Sequence, residues 1–292
     1  MTDTADILRK VRKIEIRSRG LTDQIFTGQY HSAFKGKGMA FSEVREYNYG
    51  DAIRDIDWNV TARFNHPYVK VFHEERELTV MLLVDVSASN LTGSGERIKQ
   101  ERITEIAALL SFSAIKNLDK VGVIFFSDKV EKFIPPNKGA QHILLIIREL
   151  IHFKPRGNKT SIATSLRYLT NIIRKRCIAF LITDFIDENF EDALKITNKK
   201  HDLVAIRVFD PMDERLPGSG LFRFADAESG TSAWIDTASP KTIAAYQMLQ
   251  ERRNDAIRAA CRKSGVDLVD VSTAEDYIRP FIRLFKKRGA RR

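Results

Sequence analysis

The sequence predicts an α/β fold, a doubly wound and mostly parallel sheet, with an N-terminal helix and hairpin extension. Three observations predict it. The segments "ELTVMLLVD", "CIAFLITD" and "DLVAIRVFD" carry continuous apolar runs, the pattern of strands buried on both faces. Stretches of helical period separate them. The chain of 292 residues is long enough for one large domain with an extension and shows no internal repeat.

The elements follow in order. Residues 4–19 read as an amphipathic helix, with Ile7, Val11 and Ile14 on one face, Arg9, Lys10, Arg12, Lys13 and Arg17 opposite, and Gly20 as its end. Residues 28–45, rich in Gly and Lys, read as a loop. "YVKVFHEE" alternates like a strand, and "ELTVMLLVD" is the first buried strand. "RITEIAALLSFSAI" is helical, with Ile103, Ala107, Leu110 and Ala114 aligned, and "KVGVIFFS" is a short strand. "HILLIIRELI" and "SIATSLRYLTNIIRK" are helical, "CIAFLITD" is a strand, "EDALKITNKK" a helix and "DLVAIRVFD" a strand. A long helix over about 240–264 precedes the strand "VDLVDV". The last helical stretch aligns Ile278, Phe281, Ile282 and Phe285, with Pro280 expected to kink or restart it. Residues 1–76 are taken as the extension and 77–292 as the sheet domain.

Composition narrows the function classes. Apolar residues are 43% and charged residues 29%, ordinary for a globular protein. No apolar run approaches the ~18–20 residues that span a bilayer. "MTDTADILRK" lacks the basic-then-apolar order of a secretory leader. Cys177 and Cys261 follow no metal-ligand spacing, so a reduced, cytoplasmic protein is expected. The net charge of +10 concentrates at the ends, in "RKVRKIEIRSR" and "KKRGARR". Without a nucleic-acid-binding motif, no nucleic-acid partner is expected, while peripheral contact with a membrane surface stays open.

The chemistry is expected just past the buried strands, where open α/β sheets bind ligands. A dinucleotide site needs Gly-x-Gly-x-x-Gly there, and "GSGERI" fails at its third glycine. A phosphate loop needs Gly before Lys159, where Asn158 stands. The first buried strand instead runs into "DVSASN", offering Asp85, Ser87 and Ser89. Alternate residues of an extended turn point the same way, so these oxygens converge. Thr160 in "GNKTS" adds a hydroxyl, and Asp184 adds a carboxylate after "AFLIT". A set of hard oxygens without His or Cys suits Mg²⁺ or Mn²⁺. The competing reading is that the hydroxyls cap helices and the aspartates hold loops.

This constellation resembles the metal-ion-dependent adhesion site of von Willebrand factor A-like domains, and "DKVGVIFFS" is similar to the second strand of that fold. Carried over, the resemblance implies that Asp85, Ser87, Ser89, Thr160 and Asp184 would be the site. Asn90 departs from the methionine that often follows the second serine. The segments "FSEVREYNYGDAIRDIDWNVTAR", "VKVFHEERELTV", "ITDF", "HDLVAIRVFDP" and "STAEDYIRPF" resemble a bacterial family of von Willebrand A-like proteins of unknown function that accompany MoxR-type AAA+ ATPases. The resemblance implies an accessory role beside such an ATPase and an unknown client protein.

"YGDAIRDIDW" packs Asp51, Asp55, Asp57, Arg54 and Trp58 into one decapeptide. No nucleophile or histidine lies beside it, so a structural or interaction role is expected. Gly50-Asp51 makes a turn, Arg54 and Arg63 pair with Asp57, Glu74 or Glu75, and Trp58 packs its ring on the domain. The expected function is a metal-dependent protein-binding module that is not an enzyme. The alternatives are a metal-dependent hydrolase, for which only Asp210 approaches as a base, and a basic nucleic-acid or membrane-surface binder.

Overall fold

The computed structural model describes residues 40–73, 78–91, 99–157, 159–216, 220–225 and 231–290. The expected helix at 4–19, "GSGERI", Glu74 and Glu75 lie outside the described residues. The described residues fall into two compact units, divided between residues 77 and 78.

In the smaller unit, strands β1 (Ala40–Glu46) and β2 (Tyr68–His73) pair antiparallel. The loop expected over 28–45 is therefore corrected at its end: "AFSEVRE" is extended because β2 supplies backbone partners that local composition does not reveal. A 3₁₀ turn (Ile53–Asp55) and helix α1 (Trp58–Phe64) connect the strands. Asp57 caps α1, accepting from the N–H groups of Asn59 at 3.0 Å and Val60 at 3.3 Å. Asp51 takes a bidentate bond from Arg45 at 2.7 and 2.8 Å and closes the turn by accepting the Asn48 N–H.

Two side-chain expectations are corrected here, the first only as to Asp57, because Glu74 and Glu75 lie outside the described residues. Arg54 does not pair with Asp57; it lies 3.8 Å from its neighbour Asp55, and Asp57 faces Lys70 at 3.5 Å. Trp58 is not packed away but 66% exposed. A two-stranded ribbon with a two-turn helix has too little surface to cover an indole, and α1 contains no buried residue.

The larger unit is the doubly wound α/β sheet. Its strands are β3 (Thr79–Asp85), β4 (Lys120–Phe126), β5 (Val130–Asn137), β6 (Ile178–Thr183), β7 (Asp202–Phe209) and β10 (Asp267–Ser272), in the order β10-β7-β6-β3-β4-β5. All neighbours are parallel except β4 and β5. Helices α2 (Lys99–Lys116), α3 (Ala140–His152) and α8 (Ile278–Ala290) cover one face, together with Val80, Leu82 and Val84 of β3. Helices α4 (Ile162–Ile172), α5 (Glu191–Lys200) and α7 (Pro240–Lys263) cover the other, with Met81 and Leu83. Successive β3 residues thus feed two cores, which explains why its sequence is apolar without alternation. Pro280 sits in the first turn of α8, where its missing N–H costs nothing, so it restarts a helix rather than kinking one.

Strand β5, the four-residue helix α6 (Pro211–Glu214) and the hairpin β8 (Leu221–Ala225) with β9 (Ser232–Asp236) have no counterpart in the sequence reading. From β3 the chain winds outward to β4 and β5, then returns through α3 and α4 to β6 on the other side. The order therefore reverses between β3 and β6, the switch point where open sheets form ligand crevices. Among the described residues, no helix is long and apolar enough to cross a membrane.

Candidate metal centre

Strand β3 delivers Asp85 as its last residue, and β6 delivers Thr183 as its last residue with Asp184 one step beyond. Parallel pairing sets Val84 beside Ile182, so the two carboxyl ends finish level. Asp85 is 1% exposed. Its Oδ1 accepts the Ser87 N–H at 2.9 Å, a turn bond that bends the chain back over the strand end. Its Oδ2 accepts the Thr183 hydroxyl at 2.6 Å, tying β3 to β6.

Ser87 and Ser89 are both buried, and their hydroxyl oxygens meet at 3.0 Å. The convergence expected from alternate spacing is thus present for Asp85, Ser87 and Ser89. Asn90 locks it: its Nδ2 donates to the Asp85 carbonyl at 3.2 Å and to the Ser87 hydroxyl at 3.3 Å. Its Oδ1 is buried and meets no donor among the described residues.

Thr160, half-buried, comes from the loop between α3 and α4. The Ser161 N–H bonds the Ser127 carbonyl, next to the end of β4, at 2.8 Å. The Ile162 N–H bonds Asp187, beyond β6, at 2.7 Å. These two bonds fix the residues just after Thr160 between the segments that follow β4 and β6, the strands on either side of β3. Upstream, Glu131 Oε1 accepts the Ser127 hydroxyl at 2.7 Å and the N–H groups of Arg156 and Gly157 at 3.1 and 2.8 Å. A Cβ on Gly157 would stand 1.8 Å from Asp128 Oδ1 and 2.5 Å from Ser127 Oγ, so a larger residue there must displace those side chains.

The electrostatics point to a cation. Burial, and then the negative charge of Asp184, push the Asp85 carboxyl up to about 7. Asp184 is 6% exposed; its Oδ1 accepts the Ile186 N–H at 3.0 Å and its Oδ2 faces Lys99 Nζ at 3.4 Å. Two buried carboxylates, two adjacent hydroxyls and an orphaned amide oxygen bring hard oxygens together at the carboxyl ends of β3 and β6. Among the described residues no group of three or more His, Cys, Asp or Glu is gathered as a metal site, so hydroxyls must complete any coordination here. Carboxylate plus hydroxyl is the donor chemistry of a hard divalent ion, and these residues fit one.

Sequence reasoning missed Thr183, Asn90 and Lys99. Thr183 and Asn90 adjoin residues already singled out. Lys99 carried no signal, because a lysine at a helix start reads as solvated, yet it is 1% exposed. Burial opposes its charge, but Asp184 and Asp213 outweigh that and raise its pKa. Asp210 is committed elsewhere: it caps α6 through the Met212 N–H at 2.9 Å and accepts the Thr273 hydroxyl at 3.0 Å.

Comparison with known proteins bears out the architecture. Uncharacterised proteins of Mycobacterium tuberculosis and Mycobacterium bovis are each 29% identical over 295 aligned residues, covering 99% of this chain and 92% of theirs. The crystal structure of BatB from Bacteroides thetaiotaomicron superposes with a TM-score of 0.50 and 16% identity, over 73% of this chain and 99% of BatB. An aerotolerance-related membrane protein from Bacteroides fragilis gives 0.50 and 15%, over 74% of this chain and all of that one (100%). These likenesses establish a shared fold. Residues 43–256 match the family described as protein of unknown function DUF58, and the chain belongs to that family.

Proposed function

We propose that the chain is a divalent-ion-dependent protein-binding module rather than an enzyme, and that it acts in the cytoplasm as the accessory of a MoxR-type AAA+ ATPase in chaperoning or assembling a client complex. The observation that carries the binding role is the buried cluster of Asp85, Ser87 and Ser89 facing Asp184 across the switch point. The ATPase partner rests on the sequence resemblance alone.

Mg²⁺ or Mn²⁺, when bound, supplies a Lewis-acidic position for a carboxylate from another chain. Asp85, Ser87 and Ser89 present the oxygens that hold it. Thr160 would complete the rim from its anchored loop. Asp184, already engaged by the Ile186 N–H and Lys99, would act on the ion through water rather than directly. Uncharged hydroxyls leave the ion's charge poorly neutralised, which favours an acidic side chain of the partner. The net charge of +10 steers acidic partners toward the protein. Asp210, the base a hydrolase would need here, is spent on a helix cap and on Thr273.

Affinity capture from the native host with wild type and Ser87→Ala, each with Mg²⁺ and with excess chelator, tests the reading. Proteins retained by wild type alone, and only with the ion, are the expected result. Equal retention in chelator contradicts ion-dependent binding.

A further inference from the structure

Lys99 is the first residue of α2, the helix that follows the serine loop, and its ammonium is buried between two carboxylates. It contacts Asp213 Oδ2 at 2.8 Å and Asp184 Oδ2 at 3.4 Å. The first distance is that of a full charge-assisted hydrogen bond; the second is at the outer limit. Nζ therefore leans toward Asp213. Asp213 sits in α6, beyond β7, and its side chain is 39% exposed at a cavity of about 210 Å³ that Asp184, Tyr246 and Arg253 also line. Asp213 is itself held in place, because its Oδ2 accepts the Asp210 N–H at 3.0 Å in the capping box of α6. A buried ammonium is tolerated only when paired. The fold has placed one where a fixed positive charge opposes any divalent ion bound beside Asp184.

We propose that Lys99 is an internal cation of the candidate metal centre: it limits how tightly the centre takes a divalent ion, and Asp213 tunes that limit by drawing the ammonium away from Asp184. The inference rests on the metal-binding reading above. Its physical content is a competition of two positive charges for one carboxylate. With Lys99 present, Asp184 is shared between the ammonium and the ion. With Lys99 removed, Asp184 is wholly available and a like charge is gone, so the ion binds more tightly. With Asp213 neutralised, Asp184 is the carboxylate left to Lys99 among the described residues, and the ion binds more weakly. A residue that merely supports the fold does not produce opposite signs, because its loss weakens the site in either case.

The test measures Mn²⁺ affinity by calorimetry, Mg²⁺ affinity by competition, and the ion-dependent shift in melting temperature. The proteins are wild type, Lys99→Met, Asp213→Asn and the double variant. Methionine keeps the apolar stem of lysine without its charge, and asparagine keeps an oxygen for the Asp210 N–H. Lys99→Met is expected to tighten Mn²⁺ binding by about tenfold or more, given unit charges a few ångströms apart in a poorly hydrated site. Asp213→Asn is expected to weaken it severalfold. The double variant should behave like Lys99→Met, because Asp213 then has no ammonium to hold. Unchanged or weaker binding in a folded Lys99→Met protein, or unchanged or tighter binding in Asp213→Asn, overturns the inference. If Lys99→Met fails to fold, the sign in Asp213→Asn decides. If neither wild type nor Lys99→Met binds either ion, the metal-binding reading itself fails. If both bind equally, only the role of Lys99 fails.

Discussion

Asp85 carries two opposed demands. Its buried carboxylate faces the charge of Asp184, which disfavours the ion-free fold, yet that same charge is what a cation needs. Asp85→Asn should therefore raise the melting temperature in chelator and abolish any rise on adding Mn²⁺, a stability–function trade read by two thermal scans. At the opposite end of the sheet, His201 makes a separate prediction. It is fully buried, its Nδ1 accepts the Cys177 N–H at 3.3 Å, and its Nε2 meets no partner among the described residues. Burial first, then the positive charges of Lys200 and Arg176, lower its pKa from 6.5 to about 4. Between those values the unfolded chain binds a proton that the folded chain refuses, so stability falls as pH drops through that window. Denaturant titrations should show a smaller fall between pH 6.5 and 4 for His201→Asn than for wild type. The residue scale was only partly legible. Spacing announced Asp85, Ser87 and Ser89, because alternation maps directly to direction. The Lys99 pairing depends on residues 85 and 114 positions away, and no local pattern encodes it.

Among the elements, the buried strands were read because each feeds two cores, so their sequences stay apolar throughout. Strand β5 escaped because Pro135 and Pro136 fall inside it; an edge strand tolerates the lost N–H groups, but its sequence then reads as a breaker. Strands β8 and β9 are short, with largely exposed side chains such as Leu221 at 64% and Trp234 at 66%, and show no pattern of a buried face. Trp58 was misjudged from residue type: an indole suggests a core, but burial depends on having enough structure to cover it. Trp58→Ala should therefore change stability by no more than ~0.5 kcal/mol, against ~2–5 kcal/mol for Leu82→Ala in β3, which is fully buried, when both are measured by chemical denaturation. The loop carrying Thr160 is an element whose position is built rather than inherited from the sheet. Gly157→Ala would drive a methyl into Asp128 and Ser127. Weaker Mn²⁺ binding in that variant, with the sheet still folding cooperatively, is the expected outcome, and unaltered affinity would separate the Thr160 loop from the site.

For the whole molecule, winding order decides where chemistry can occur. The chain leaves β3 in one direction and returns to it from the other, and the crevice left at that reversal gathers residues far apart in sequence at one edge. The position of the candidate site was proposed from the sequence because strand-end residues can be listed once the strands are known. Its internal electrostatics were not, since burial of Asp85 and Asp184 follows from the helices packed on both faces. The net charge of +10 and the hydroxyl-rich metal centre proposed above both favour an acidic partner. The most direct measurement is calorimetric titration of Mg²⁺ and Mn²⁺ into wild type and Asp85→Ala. Saturable binding to wild type, lost in Asp85→Ala while that protein remains folded, is the predicted result; identical binding by both, or binding by neither, would contradict a metal centre at the end of β3.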